Sequence, residues 1–514
     1  MGQGKMIVLL ALASLTLTAA CSRETPPPVA VPSWLITNAR IIDGSGAPAF
    51  TGSLRVQNGL IKEIGQLTPV KNEPVLNALG KVLAPGFIDT HSHADSDLFA
   101  LPDALPAVSQ GITTAVVGQD GESIWPLSEL FQRLEQEHVA LNIASYSGHN
   151  TLRDKVMGKD FKRHANDDEV KSMSALLDQD MAAGALGLST GIEYDPGIYS
   201  DPSEVLALAR VAAKHGGRYI SHIRSEDRWL EDALEEIIEI GRQTGMPVQI
   251  SHFKLAMKRL WGRAPQTLAR LDQAREEGID ITADIYPYEY WQANLMVLLP
   301  GRDPNDRQAV ELALTEMAPP EGLWFTHFPA HPDYVGKTLV EVAQLRGIDP
   351  VSAFMETANE SIDWEERTGE SGDAIIGTSM LESDITQLLT WPFTNLCTDG
   401  GLEDLHPRAR GSYPRVLGRY VREQGLLSLE EAVHKMTGLA AAHMGMENRG
   451  TLVAGAAADL VLFDPDTIID NATPQTPELL STGVLGVWVN GEQVFANGVT
   501  TGKHPGQVIR RGKE

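Results

Sequence analysis

The stretch that decides the fold is Val82–Asp97, which reads Val-Leu-Ala-Pro-Gly-Phe-Ile-Asp-Thr-His-Ser-His-Ala-Asp-Ser-Asp. An apolar run ends there on a His-x-His pair, His91 and His93. In a β-strand, side chains two residues apart point to the same face and lie about 7 Å apart, so two imidazoles can reach one metal ion. The stretch therefore predicts a buried strand that ends in a metal-dependent active site.

Further apolar runs alternate with helical stretches over residues 83–444. This alternation is typical of an α/β protein built as a (β/α)8 TIM barrel, in which the chemistry lies where the strands end. The gap from Tyr286 to Asp399 is much longer than one repeat, which predicts an insertion at about 288–349, before the last barrel strand. The predicted strands end near His91, Gly118, Ser147, Ser189, His222, His252, Tyr286 and Asp399.

Both ends of the chain predict short strands separated by turn residues. Asp43-Gly44 and Asn58-Gly59 interrupt β-type runs in residues 34–82, and residues 445–505 contain similar runs. We therefore expect one small β-sandwich domain that is built from both chain ends and flanks the barrel.

Residues 1–20 are typical of a bacterial export signal, with Lys5 ahead of an apolar stretch. Small residues then lead to Cys21 and Ser22, as in lipoproteins sorted to an outer membrane. We expect an exported, periplasmic protein whose only membrane contact is a lipid anchor on Cys21, with simple cleavage as the alternative. The proline-rich residues 21–33 predict an extended tether.

The composition excludes a polyanion as partner. The 514 residues include 68 acidic and 42 basic ones, for a net charge of −26, and 42% are hydrophobic. A large globular protein of this charge repels nucleic acid, and the basic end Arg510–Lys513 is expected to be a solvated tail. If Cys21 carries lipid, Cys397 has no disulfide partner.

Three further strand ends carry metal-binding side chains, namely His222, His252 and Asp399. A barrel brings strand ends together at one mouth, so we predict that these residues join His91 and His93 around one or two zinc ions or another divalent metal. Asp399 is expected to act as a metal ligand and as general base, taking a proton from water and returning it to the departing amine.

Five motifs of the chain are Gly86–His93, Gly184–Gly191, Ser251–Lys254, Asp284–Tyr288 and His406–Arg415. They resemble motifs of the amidohydrolase superfamily and, within it, of the N-acyl-D-amino-acid deacylases or D-aminoacylases. The resemblance implies hydrolysis of the amide bond of small N-acyl-D-amino acids, or of dipeptides with a D residue. It also implies a β domain from both termini and a lid-like insertion.

The second strand departs from the pattern of these relatives. Where the deacylases carry an Asn-Cys-Gly segment, this chain has Gln119-Asp120-Gly121, and its fourth strand lacks the metal-bridging lysine of many amidohydrolases. The resemblance makes Asp120 a metal ligand, with Glu122 as the alternative. A carboxylate can bridge two ions but is harder than a thiolate and less selective for zinc, which leaves the number and identity of the ions open.

The resemblance also supplies four candidates for holding the α-carboxylate of the substrate: Tyr194, Lys254, Tyr288 and Arg408. Two cations and two phenols suit a single anion. His149, which follows the third strand, is expected to polarise the scissile carbonyl.

Two other functions stay open at this point. One is a cyclic amide hydrolase similar to hydantoinases or dihydroorotases, which the missing fourth-strand lysine and the carboxylate-binding set disfavour. The other is a non-catalytic, ligand-binding lipoprotein, which the four retained histidines and Asp399 disfavour.

Overall fold

The computed structural model describes residues 1–2 and 33–512. Nearly all of the predicted export signal and of the predicted tether, including Cys21, lies outside the described residues. Within residues 1–2 and 33–512, no helix has both the length and the apolar character that crossing a membrane requires.

The strands of residues 33–512 are numbered in chain order: β1 (Ser33–Ile41), β2 (Phe50–Gln57), β3 (Leu60–Gly65), β4 (Val75–Asn77), β5 (Val82–Pro85), β6 (Phe87–Asp89), β7 (Ile112–Val117), β8 (Asn142–Ser145), β9 (Ser147–Gly148), β10 (Gly187–Gly191), β11 (Arg218–His222), β12 (Val248–Ile250), β13 (Ile281–Ile285), β14 (Tyr290–Ala293), β15 (Leu323–His327), β16 (Ala374–Thr378), β17 (Thr394–Leu396), β18 (Leu460–Phe463), β19 (Val484–Val489), β20 (Glu492–Ala496) and β21 (Val499–Thr500).

The α-helices are α1 (Leu105–Val108), α2 (Leu127–Gln136), α3 (His149–Met157), α4 (Asp167–Ala183), α5 (Pro202–Lys214), α6 (Leu230–Thr244), α7 (Ala264–Glu276), α8 (Arg307–Glu316), α9 (Leu339–Arg346), α10 (Pro350–Thr368), α11 (Glu382–Thr390), α12 (Arg408–Arg415), α13 (Leu429–Met436) and α14 (Gly438–Met444). A π-helical segment, Val416–Glu423, continues α12. Short 3₁₀ turns cover Ala94–Ser96, Gly158–Asp160, Gly197–Tyr199, Lys258–Leu260, Leu295–Leu298, Pro320–Gly322 and Pro332–Tyr334.

The eight predicted central strands are present as β6, β7, β8, β10, β11, β12, β13 and β17. They form two parallel sheets, ordered β6-β7-β8 and β17-β13-β12-β11-β10-β9. Backbone hydrogen bonds link the sheets on both sides: Asp399 N–H donates to the His91 carbonyl at 2.9 Å, and Leu186 N–H donates to the Ser145 carbonyl at 2.9 Å. The ends of the first and last strands are therefore neighbours.

Local sequence explains these elements. All six residues of β7 are buried, as expected for a parallel strand covered on both faces. Helix α4 begins at a capping box in which Asn166 and Glu169 satisfy each other's backbone N–H groups, and it ends at Gly184, whose φ is +117°.

The fold-deciding stretch is two strands rather than one. β5 belongs to the sheet formed by the chain ends, and β6 starts the central sheets after Gly86. A Cβ atom at Gly86 would lie 2.2 Å from the Thr113 side chain, so only glycine allows the chain to pass from one sheet to the other here.

Strands from both ends of the described chain form one nine-stranded sheet. Its order is β21-β20-β19-β18-β5-β1-β2-β3, and β4 pairs with β1. β5 pairs in parallel with β1 and antiparallel with β18, so it joins the two chain ends. Leu54, Leu83, Leu460 and Trp488 pack in one buried cluster of this sheet.

The insertion is longer than predicted. Its three-stranded antiparallel sheet has the order β14-β16-β15, so the central strand is the last in sequence and the unit extends to Thr378. The predicted end at residue 349 is wrong because Asp349 is the N-cap of α10. An Asp-Pro pair starts this helix instead of ending the unit.

The basic chain end is not a solvated tail over its described part. Ile143 N–H donates to the Gln507 carbonyl at 2.9 Å, and Ile509 N–H donates to the Ile143 carbonyl at 2.8 Å. Arg510 pairs with Glu135 at 2.7 Å, and Arg511 donates to the Ala185 carbonyl at 3.1 Å. This segment therefore covers the gap between the two parallel sheets.

Candidate active site

Four predicted ligands from three loops converge at the carboxyl ends of the parallel strands. His91 Nε2 lies 3.4 Å from Asp120 Oδ1 and 3.5 Å from Asp399 Oδ1. His93 Nε2 lies 3.4 Å from Asp120 Oδ2 and 3.3 Å from Asp399 Oδ1. We call His91, His93, Asp120 and Asp399 the first ligand group.

A second ligand group consists of Asp120, His222 and His252. His252 Nε2 lies 3.3 Å from Asp120 Oδ1 and 3.0 Å from His222 Nδ1. Asp120 belongs to both groups. Glu122, the alternative, lies outside both groups although it lines the same cavity.

The donor atoms fit a divalent metal. Ligands about 2.0–2.1 Å from a tetrahedral zinc ion lie about 3.3–3.4 Å from each other, which matches the separations between imidazole nitrogens and carboxylate oxygens here. His91 is fully buried, and neither of its ring nitrogens has a hydrogen-bond partner. A buried imidazole of this kind needs a further partner, which a metal ion would supply.

Three of the predicted ligands have a left-handed backbone conformation. The φ angles are +53° at Asp120, +36° at His252 and +51° at Asp399. Hydrogen bonds hold two of them: His252 N–H donates to Asp284 Oδ1 at 2.5 Å, and Asp399 N–H donates to the His91 carbonyl at 2.9 Å. Such conformations cluster at functional sites, where the surrounding fold over-determines them.

Charges in the two groups oppose the cost of burial. Burial disfavours the charged form of Asp399, but Arg408 and the nearby imidazoles hold the pKa of this carboxyl well below its usual range. Burial and Lys254 lower the pKa of His252, yet Glu226 and Asp120 outweigh them and raise it to about 10. Protons and a metal ion therefore compete for these donors.

Two carboxylates behind the second group escaped the sequence analysis. Glu226 accepts from Lys254 Nζ at 2.7 and 2.8 Å and lies 3.0 Å from His252 Nδ1. Glu193 Oε2 lies 2.9 Å from His222 Nε2. Carboxylates at the second ring nitrogen of a ligand histidine fix its tautomer and orientation. For Glu226 the sequence carried only a weak signal, namely that it lies four positions after His222 in Ser-His-Ile-Arg-Ser-Glu.

A cavity of about 660 Å³ opens over both ligand groups, and three of the four predicted substrate-binding residues line it: Tyr194, Lys254 and Arg408. The Tyr194 ring lies 4.3 Å from the His222 ring. Arg408 is buried and donates to Asp399 Oδ2.

Tyr288 does not line the cavity. Its hydroxyl donates to Asp470 at 3.2 Å, and its ring lies under Arg415. Tyr286 lines the cavity instead, with a buried hydroxyl that has no partner and a ring 4.8 Å from the Arg408 guanidinium. The predicted role of Tyr288 has no geometric support, and strand alternation places neither tyrosine because β13 ends at Ile285.

His149 is fully buried and does not line the cavity. Its Nε2 lies 2.8 Å from Glu204, which also pairs with Arg153. The structure therefore does not bring His149 to the predicted ligands, and its expected role at the scissile carbonyl stays a prediction without geometric support.

The chain belongs to the amidohydrolase family, whose sequence pattern matches residues 74–318 and 337–495. Its relatives include N-acyl-D-aspartate deacylase of Alcaligenes xylosoxydans xylosoxydans, 37% identical over 505 residues that cover 93% of this chain and 95% of that protein. D-aminoacylase of the same organism is 36% identical over 505 residues, covering 93% and 97%. The solved N-acyl-D-glutamate deacylase of Bordetella bronchiseptica, complexed with zinc and a phosphonate inhibitor, matches with a TM-score of 0.83 at 36% identity, covering 93% and 99%.

These comparisons confirm the predicted resemblance to the N-acyl-D-amino-acid deacylases and an α/β fold of the amidohydrolase TIM-barrel type. The Bordetella relative contains zinc. The two ligand groups give this chain a donor set for the same kind of ion.

Proposed function

We propose that this protein hydrolyses the amide bond of N-acyl-D-amino acids, or of dipeptides with a D residue, in a metal-dependent reaction. The observation that carries the proposal is one cavity that holds both ligand groups together with Lys254 and Arg408. The ligand groups suit a metal site that activates water, and the two cations suit a substrate that carries a carboxylate.

His91, His93 and Asp399 would hold one ion and His222 and His252 another, with Asp120 shared between them. When bound, a divalent ion lowers the pKa of water and polarises an amide carbonyl. The carboxylate in place of a thiolate leaves zinc, manganese and cobalt as candidates.

Asp399 is the residue placed to move the proton. Its Oδ1 faces His91 and His93, and its Oδ2 accepts from Arg408, which keeps the carboxylate ionised at neutral pH. An ionised carboxylate can accept a proton from the attacking water and return it to the leaving amine.

Lys254, Arg408 and Tyr194 are the proposed contacts to the α-carboxylate, and Tyr286 joins them because it lines the cavity and its buried hydroxyl has no hydrogen-bond partner. Tyr288 is left out of this group, because its hydroxyl donates to Asp470 and it does not line the cavity.

Replacing Asp399 by Asn tests the proposal. We expect the kcat for acetyl-D-amino acids to fall by about 100-fold or more while metal content measured by mass spectrometry is retained. Asp272→Asn on α7, where the carboxylate accepts from Trp391 at 2.8 Å, makes the same chemical change away from the site and serves as control. A D399N enzyme within a few-fold of wild type would refute the role. If the enzyme hydrolyses hydantoins but no acyl-amino acids, the cyclic amide hydrolase is favoured. If the purified protein has neither bound metal nor activity, the non-catalytic binding protein is favoured.

We also propose that the parallel strands close into a (β/α)8 barrel and that the nine-stranded sheet folds as a β-sandwich. The hydrogen bonds between the loops after β6 and β17 support closure. Hydrogen exchange tests it, because an open sheet would leave the amides along the edges of β6 and β17 unprotected.

We further propose export to the periplasm and lipidation of Cys21, which the sequence of residues 1–22 supports. Incorporation of a labelled fatty acid by the full chain, and its loss in Cys21→Ser, is the expected result. Release of an unlabelled mature chain by wild type would favour simple cleavage.

A further inference from the structure

We propose that the cavity selects N-acyl-D-amino acids with an uncharged, apolar side chain and rejects those with an acidic side chain. The inference rests on the proposed function and names the substrate class of the same site. Family membership leaves the side chain open, because the relatives reported above include proteins named for acidic and for unspecified D-amino acids.

The insertion supplies an apolar wall to the cavity: Trp291, Met296, Val297, Leu298 and Met317. The indole N–H of Trp291 donates to Ser379 Oγ at 2.7 Å, so the one polar atom of this side chain is already occupied. Binding becomes more favourable when an apolar substrate side chain displaces water from apolar surface of this kind.

The buried cations that line the cavity are already paired. Lys254 contacts both oxygens of Glu226 at 2.7 and 2.8 Å, and Arg408 donates to Asp399. These two would serve the α-carboxylate that every such substrate carries. Arg302 donates to Asp195 at 3.2 Å and to backbone carbonyls, including that of Met296 at 2.5 Å.

The remaining lining cation among the described residues, Lys162, is exposed at the mouth, 5.7 Å from the Phe161 ring. A second substrate carboxylate would thus enter a cavity whose lining acids outnumber its cations. Burying an uncompensated charge is among the costliest changes in a binding site.

The acidic lining does not by itself predict a basic substrate, since several of its carboxylates are also engaged. Glu193 faces His222 at 2.9 Å, and Asp404 accepts from the Gly401 N–H at 2.8 Å. Apolar side chains therefore fit the lining better than either charge.

The test compares kcat/KM of the metal-loaded full chain for N-acetyl-D-glutamine and N-acetyl-D-glutamate, which share a shape and differ in charge. N-acetyl-D-methionine and N-acetyl-D-lysine complete the set. We expect glutamine to exceed glutamate on the order of 100-fold, and methionine to be best. Equal rates for glutamine and glutamate, or faster cleavage of the lysine substrate than of the methionine one, would overturn the inference.

Calorimetry separates this inference from the proposed function. Tetrahedral phosphonate analogues of the acetyl-D-methionine and acetyl-D-glutamate substrates are titrated into the metal-loaded protein. If no substrate is hydrolysed, the proposed function fails, and the ratio of the two Kd values still decides the selectivity. Equal Kd values would overturn it.

Variants then test the wall itself. Val297→Arg should reduce the preference for glutamine over glutamate by about tenfold, because the new guanidinium can pair with the second carboxylate. Ala293→Lys, from β14 on the same lining, repeats the test if the first variant fails to fold. Leu345→Arg adds the same charge on α9, at a residue that is 62% exposed, and should leave the preference unchanged. An unchanged preference in both cavity variants would overturn the assignment of this wall to the side chain.

Discussion

Replacement of Arg153 by Met tests how the core supports the cavity. The Arg153 side chain is fully buried and donates to both oxygens of Glu204, at 2.7 and 2.6 Å. Its other terminal nitrogen donates to the carbonyls of Phe161 at 3.1 Å, Tyr199 at 3.4 Å and Arg163. These carbonyls belong to the connection between α3 and α4 and to the loop after β10, and the same segments carry the cavity residues Phe161 and Tyr194.

The magnitude follows from leaving Glu204 buried without its cation. Breaking a buried ion pair by removing one partner costs about 3–5 kcal/mol, whereas replacing both partners by apolar residues of similar volume is often nearly neutral. We therefore expect Arg153→Met and Glu204→Met each to lower the free energy of unfolding by about 3–5 kcal/mol. The double variant should lose at least ~2 kcal/mol less than the sum of the single variants.

The assay is urea unfolding of the four proteins of this double-mutant cycle, together with their KM, kcat and metal content. The loosened loops should raise KM for acetyl-D-amino acids in Arg153→Met, whereas metal content should stay at the wild-type level because no ligand is touched. Strict additivity of the two unfolding losses, or loss of metal from the single variants, would refute the reasoning.

Three further predictions concern single side chains. Asp120→Ala should weaken metal binding by more than the roughly 10–100-fold typical of changes to residues that contact a ligand, because it removes a donor from both groups. Equilibrium dialysis with metal analysis measures this, and wild-type occupancy in the variant would contradict it. Tyr286→Phe should raise KM several-fold, whereas Tyr288→Phe should mainly lower stability. A larger rise in KM for Tyr288→Phe than for Tyr286→Phe in steady-state kinetics would restore Tyr288 as the substrate contact. Burial lowers the pKa of Lys435 to about 8; since its unfolded value is 10.5, the unfolded chain binds more protons between pH 8 and 10.5. Wild type should therefore gain stability over Lys435→Met as pH rises through that window, and a parallel pair of unfolding curves would contradict this.

The ligand histidines could be predicted because each lies at the end of a strand that the sequence pattern reveals. β11 ends at His222, and β12 ends two residues before His252. Parallel strands in one α/β unit bring these ends to one edge, so a residue at a strand end is placed without knowledge of side-chain packing. His91, His93 and Asp399 follow the same rule.

Residues that act through tertiary contacts could not be predicted in this way. Glu226 lies in the loop after β11, and only the folded chain brings its carboxylate to His252 and Lys254. The choice between Tyr286 and Tyr288 could not be made from strand alternation, because β13 ends at Ile285, before both residues. The end of the insertion was missed because β16 pairs with strands more than 45 residues earlier in the chain, and sequence periodicity carries no information about such pairing.

The backbone at the ligands explains why this site needs the whole fold. The left-handed backbone conformation raises the free energy of a residue other than glycine by on the order of 1–3 kcal/mol. Asp120, His252 and Asp399 all adopt this conformation. Local sequence preference would not select these conformations, so contacts from other strands have to impose them. Asp284 of β13 holds His252, and the His91 carbonyl after β6 holds Asp399. Because each restraint comes from a neighbouring strand end, the arrangement of strands that gathers the candidate ligands also fixes their backbone, and a metal ion would meet donors that are already in place.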